Sequence, residues 1–212
     1  SAGVREGYLY SLLGEEDRQL DALMEASEEL SILRSRSPQH ARELADWTGK
    51  AFKAFGIDET EDERRYREAA CRLADISWRA HPDYRAEVCF DNATRANLGG
   101  LKHVERIFLG LALLHRYRNK REGTRFEDLY QLIDDNEKLN AEILGKALRF
   151  GAMLWMSDTS QGGASLSWQP KKKHLVLTLR RETEPLFGEV AQSRFQSLAS
   201  SLSATTEVAV IN

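Results

Sequence analysis

Apolar residues recur at helical spacing through the first three-quarters of the chain, then alternate as strands do near its end. Val4, Leu9, Leu12 and Leu13 predict a first short helix, and Leu20, Leu23, Met24, Leu30 and Leu33 continue helical spacing over residues 16–35. Ser37-Pro38 reads as a cap followed by a first-turn proline. The helix it opens places Ala41, Leu44, Ala45, Thr48, Phe52 and Phe55 on one face and ends at Gly56. Thr60 and Glu63 have capping-box spacing, and the helix after them buries Tyr66, Ala69, Ala70, Leu73 and Ile76. That helix is predicted to run to about His81, where Pro82 disfavours helical geometry in the preceding residue. Pro82 then opens another helix, with Tyr84, Val88 and Cys89 facing inward.

Asn97-Leu98-Gly99-Gly100 is a turn. Residues 101–119 form the strongest predicted helix, its stripe carrying Leu101, Val104, Phe108, Leu111 and His115, widened by Ile107 and Leu114. Thr124 and Glu127 offer a second capping box, followed by a helix with Leu129, Leu132 and Ile133 and another with Leu139, Ile143, Leu144, Ala147 and Leu148. Residues 157–167 are small and polar, a linker by composition. Leu166 to Trp168 and Leu175 to Leu179 read as strands joined through Pro170 and Lys171-Lys172-Lys173. Residues 187–202 read as a helix and Val208 to Ile211 as a last strand. The expectation is a mostly α protein: a helical domain to about residue 157, then a small C-terminal α+β appendage.

Length and composition allow one large domain, or one with an appendage: 212 residues, 42% hydrophobic and 30% charged. No apolar run approaches the roughly 20 residues that span a bilayer, and the N-terminus has no signal-peptide pattern. The net charge of −3 argues against a nucleic-acid binder, so any polyanion site must be a local patch. Cys71 and Cys89 read as reduced core thiols rather than a disulfide framework, which points to the cytoplasm. The start at Ser1 is what a domain excised from a longer protein would show. No Walker loop, GxSxG or HExxH is present, and Gly162-Gly163 lacks the flanking strand and helix of a phosphate loop.

Gly3-Val4-Arg5-Glu6-Gly7 is physically a glycine turn feeding a helix. It also resembles the G-x-R-E-G string of the exopolyphosphatase/guanosine pentaphosphate phosphohydrolase family, where it ends the second actin-like lobe. Leu73 through Arg85 resembles that family's helical domain, which is related to the HD metal phosphohydrolases, and residues 103–118 match it in pattern. The resemblance spans residues 1–150 and implies an HD-like helical bundle. Residues 1–14 would then be the tail of the preceding actin-like catalytic lobe, 15–157 the HD-like domain and 158–212 a small α+β subdomain. Where the family often carries His-Asp, this chain has Ala74-Asp75. A metal site needs several converging ligands and Ala74 supplies none, so no metal site is carried over. The resemblance places the phosphate loops, the catalytic glutamate and Mg²⁺ in the actin-like domains, with no cofactor in this part. What remains here is an accessory role: extending a polyphosphate channel and supporting a homodimer.

Arg116, Arg118, Lys120 and Arg121 place four cations within six residues. They either complement the C-terminal dipole of a helix or grip phosphate oxygens. His81 and Arg85 join them as candidate polyphosphate contacts, His81 alternatively capping the Pro82 helix. Asp75 is either the remnant of a metal centre or a partner for Arg79 at helical spacing. His115 reads as a core histidine, and His103 flanks the same stripe. Lys171-Lys172-Lys173 reads as a solvated turn, and Arg64, Arg65 and Arg67 as an exposed helix face. Two other readings stay open: a helical dimerisation or regulatory module with no phosphate role, and a divergent HD-type phosphohydrolase using Asp75, His81, His103 and His115.

Overall fold

A computed structural model describes residues 3–154 and 164–212. The helices are α1 (Val4–Ser11), α2 (Glu15–Gln19), α3 (Ala22–Arg34), α4 (Pro38–Phe55), α5 (Glu61–Leu73), α6 (Pro82–Arg95), α7 (His103–His115), α8 (Asp135–Leu154) and α9 (Glu189–Ser201). The strands are β1 (Ala164–Gln169), β2 (His174–Arg180) and β3 (Thr205–Ile211). The protein is mostly α with a small C-terminal α+β appendage. None of its described helices is long and apolar enough to cross a membrane.

α7 lies at the centre. Leu109 through His115 are all buried, so this helix is enclosed on every side rather than amphipathic. α6 and α8 approach it through glycines: a Cβ at Gly110 would meet the Phe90 ring at 2.9 Å, and one at Gly145 would meet the Ala112 carbonyl oxygen at 2.3 Å. α4 closes on α8 through Trp47 and Phe150, whose ring centroids are 6.0 Å apart. Phe150 then meets Phe195 of α9 at 5.4 Å, and Phe195 meets Phe187 at 6.2 Å. One continuous apolar core therefore runs from Leu23 to Ala199 and includes Leu175, Leu177 and Leu179 of the sheet.

The sheet order is β1-β2-β3. β1 and β2 are antiparallel, with Leu166 opposite Leu177, and β2 and β3 are parallel, from His174 opposite Thr205 to Arg180 opposite Ile211. The parallel pair needs a crossover, which α9 provides. Alternation along β2 sends its leucines inward and His174, Val176, Thr178 and Arg180 outward.

Several expected caps form. Ser37 Oγ accepts the His40 N–H, Gly56 adopts φ 71°, and Thr60 and Glu63 make a reciprocal capping box. Several expectations fail. The helical run at 16–35 breaks because the Asp21 carboxylate accepts the Leu23 and Met24 N–H groups and binds Arg65, starting a new helix. α5 stops at Leu73 rather than near His81, and turns carry the chain onward. Thr124 does not cap a helix. Its hydroxyl donates to the Arg121 carbonyl and bonds the Tyr130 hydroxyl, and only a 3₁₀ turn follows, at Leu129–Leu132. Tyr84 is exposed, and Ala86, Cys89 and Phe90 fill the inward face of α6 instead. Residues 164–167 of the expected linker belong to β1. The rest of that linker, with Gly162-Gly163 and the division near residue 157, lies outside the described residues.

Candidate functional site

The Ala74-Asp75 position sits at the edge of a recess of about 270 Å³, lined by Arg36, Ser37, His40, Asp75, Arg116 and Ala152. Local sequence builds its walls. Ser35 ends α3, Ser37 and Pro38 start α4 at once, and Arg36 projects from the joint between them. Arg36 forks onto Asp75 at 2.6 and 2.8 Å, and its backbone N–H adds a third bond at 3.2 Å. Burial works to raise the Asp75 pKa, but these bonds and the Arg36 charge outweigh it and hold the carboxyl below its ordinary range. Asp75 thus forms an ion pair, but its partner is Arg36 from a distant turn and not Arg79, which lies over the Trp78 ring. The Tyr117 hydroxyl donates to the Ala74 carbonyl at 2.8 Å. The Ala74-Asp75 position is a strut joining three segments.

Arg116 caps α7 and opens the basic run. Its guanidinium lies 4.8 Å from the Tyr117 ring centroid, and its Nε is buried with no hydrogen-bond partner. Two further arginines share its electrostatic neighbourhood: Arg149 of α8, one turn before Ala152, and Arg194 of α9. Burial lowers the Arg149 pKa to about 10, with the charges of Arg194 and Arg116 adding to it. Arg194 is lowered by burial and by Arg116. Among the described residues no carboxylate offsets either shift and buried Arg149 Nη1 has no hydrogen-bond partner. Arg116 at the end of α7, Arg149 of α8 and Arg194 of α9 are thus within electrostatic reach of one another, with Asp75 within reach of Arg116, and among the described residues none of the three makes an ion pair. Uncompensated charge in a partly dry site is costly alone and strongly attractive to an anion.

The rest of the basic run points elsewhere. Arg118 donates to the Glu122 carbonyl at 2.9 Å, and Arg121 pairs with Glu142 at 3.4 Å. Lys120 lines an open hollow of about 400 Å³ with Asn119, Arg121, Glu122, Glu142 and Lys146. Arg85 donates twice to the Ala80 carbonyl and lies over the Tyr117 ring. His81 caps α6, its Nδ1 accepting the Asp83 N–H at 3.3 Å. Of the expected polyphosphate contacts, only Arg116 reaches the recess.

The four residues of the HD-type reading do not converge. His81 and His103 are exposed. His115 is fully buried, with Nδ1 3.3 Å from the Arg118 carbonyl, and burial lowers its pKa to about 4 despite Glu142 nearby. Among the described residues, no group of three His, Cys, Asp or Glu side chains is arranged to hold a metal ion. Cys71 and Cys89 are free and buried, and burial raises both thiols to about 11.

Arg36, His40, Arg149 and Arg194 were not among the sequence candidates. His40 is half-buried beside Glu43, its Nδ1 3.6 Å from Oε2, and burial lowers its pKa. For Arg149 a signal existed: it is the one cation in the run Ala147-Leu148-Arg149-Phe150-Gly151-Ala152-Met153-Leu154. Arg194 carries no comparable mark.

Fold and recess together define a mostly helical domain with a polar recess beside the Ala74-Asp75 turn. A family described as "Exopolyphosphatase, C-terminal" matches residues 23–209, and the chain belongs to that family. The match begins at Leu23, the first fully buried residue, and leaves the exposed α1 and α2 outside it. No curated protein matches the chain.

Proposed function

We propose that this chain is a non-catalytic accessory domain that holds polyphosphate for an exopolyphosphatase and contributes to its dimerisation. The observation that carries the reading is that Arg116, Arg149 and Arg194 lie within electrostatic reach of one another and that none of the three makes an ion pair among the described residues. Guanidinium forks suit phosphate oxygens, and a desolvated site is screened by salt far less than a surface patch. A polymer that touches several such groups is retained after any one contact breaks. Bond cleavage, with its Mg²⁺ and catalytic glutamate, belongs in this reading to actin-like catalytic domains that partner the domain. The HD-like ancestry of the bundle belongs to the same proposal, and buried free thiols suit a cytoplasmic setting.

The test is calorimetric titration of the 212-residue chain with medium-length polyphosphate at two salt concentrations. Replacing Arg116, Arg149 or Arg194 by alanine is expected to weaken binding about tenfold each, roughly 1.4 kcal/mol. Alanine at Arg118, Lys120 and Arg121 is expected to cost less and mainly to flatten the salt dependence. Incubation with Mg²⁺ is expected to release no phosphate. Affinity indifferent to the three arginines would sink the reading in favour of a module with no phosphate role. Tighter binding of guanosine pentaphosphate than of polyphosphate would change the ligand and keep the site.

A further inference from the structure

His115 ends α7 as a fully buried imidazole. Its Nδ1 lies 3.3 Å from the Arg118 carbonyl oxygen, and its Nε2 is buried with no hydrogen-bond partner among the described residues. A carbonyl oxygen can only accept, so Nδ1 carries the proton of the neutral ring and Nε2 is the bare nitrogen. A second proton has nowhere else to go. The cation it creates would face Glu142 and Lys146 of α8 and Arg121 of the basic turn. Glu142 is the one carboxylate in that set, and it is already engaged: Lys146 Nζ donates to it at 2.6 Å, Ser201 of α9 at 3.2 Å and Arg121 at 3.4 Å. Nor can the ring retreat, because α8 passes so close that a Cβ at Gly145 would fall 2.4 Å from His115 Cβ. An imidazolium here is relieved only on the side of the turn it holds.

That turn, residues 116–121, carries the basic run. Three further side-chain contacts hold it: the Tyr117 hydroxyl on the Ala74 carbonyl, Ser197 Oγ of α9 on Asn119 Oδ1, and Arg121 on Glu142. Asn119, Arg121 and Glu142 border the open hollow of about 400 Å³, so water stands ready to replace the last two. The turn also sets Arg116 at the wall of the recess. How the turn is seated therefore decides whether Arg116 is presented there.

We propose that His115 is a proton-operated latch on the 116–121 turn: the neutral ring holds the Arg118 carbonyl and seats the turn, and uptake of a second proton at Nε2 releases it and withdraws Arg116 from the recess. The latch stands on the geometry around His115, while its effect on anion binding rests on the accessory-domain reading above. Burial, with the charges of Lys146 and Arg121, lowers the His115 pKa from its ordinary 6.5 to about 4 against the pull of Glu142. A turn that opens and hydrates the ring returns it to the ordinary value. The seated turn is thus fully favoured above 6.5 and loses ground as the pH falls from there toward 4.

Hydrogen–deuterium exchange of the 212-residue chain, corrected for the intrinsic pH dependence of amide exchange, tests it. The reporters are the Tyr117 and Arg118 amides, both of which donate to the Leu114 carbonyl. Their protection is expected to fall about twentyfold between roughly pH 7 and pH 5, and that of α5 amides far less. His115→Asn keeps a donor for the Arg118 carbonyl but cannot titrate, and its protection is expected to stay level. Lys146→Met removes a cation facing the ring and is expected to shrink the fall. If His115→Asn fails to fold, Lys146→Met and an NMR titration of the His115 ring decide, the folded ring being expected to stay neutral down to about pH 5. An unmodified chain with no fall, an equal fall in His115→Asn, or a ring that titrates at its ordinary value with the turn still protected would each overturn the latch. Polyphosphate titration at both pH values separates it from the reading it serves. Binding that weakens at the lower pH in the unmodified chain and not in His115→Asn supports both. Binding unchanged once the turn has opened overturns the link to Arg116, and no binding at either pH overturns the accessory-domain reading while the exchange data still decide the latch.

Discussion

Arg149 holds its charge where the surroundings resist it. Burial and two neighbouring guanidinium groups disfavour the cation, yet arginine has no accessible neutral form near pH 7, so the folded state bears the cost. Stability and binding should therefore respond to substitution in opposite directions. Arg149→Met keeps the length of the side chain and removes the charge. It is expected to raise the stability of the ligand-free protein by about 1 kcal/mol, roughly 2–4 °C in melting temperature, while weakening polyphosphate binding. A melting scan with and without polyphosphate reads both effects; a variant less stable in both would show that Arg149 is a structural contact. Sequence alone exposes Arg116 because four cations stand together there. It cannot expose the set Arg116, Arg149 and Arg194, since the three are united only by the way α7, α8 and α9 meet. Asp75 shows the complementary limit. Its pairing was foreseeable, but the short-range rule chose Arg79, and the tertiary partner Arg36 won with a bidentate geometry that a helical neighbour does not offer.

Helix starts were legible because caps are local. Ser37, Thr60 and the proline at 82 each work through atoms within three residues. The end of α5 was not, because distant groups decide it, whereas Gly56 ends α4 as expected. After Leu73 the chain leaves the α pattern for bonds three residues apart, such as Ile76 N–H to Leu73 O, while Tyr117 takes the Ala74 carbonyl and Asn92 bonds Ser77. The close approach of α7 and α8 at Gly145 gives a test at this scale. A Cβ at Gly145 would fall 2.3 Å from the Ala112 carbonyl oxygen and 2.4 Å from His115 Cβ, neither of which is the end of a flexible side chain. Gly145→Ala is expected to destabilise by about 2–3 kcal/mol despite its better helix propensity. Gly7→Ala, with nothing within 4 Å, is expected to cost nothing. Urea unfolding curves of the two variants check both; a harmless Gly145→Ala would mean that α7 and α8 are free to separate.

Seen whole, the protein joins its helical part to its C-terminal appendage through one set of aromatic contacts rather than a thin seam. Trp47, Phe150, Phe195 and Phe187 run in sequence from α4 through α8 to the loop before α9. The order of elements and the change from helices to strands were readable from periodicity, because each period is a local property. That the appendage shares the core was not, since Phe195 in the sequence is only an apolar residue on a predicted helix. The shared core predicts a single cooperative calorimetric transition for the chain; two resolved transitions would mark two independently stable units. The same contact has a consequence in time. Phe150 leaves the ribosome well before Phe195, so the growing chain carries an uncovered aromatic face until α9 has been made. Completion of this interior waits for the synthesis of α9, and that interval is when a nascent-chain chaperone would find something to hold.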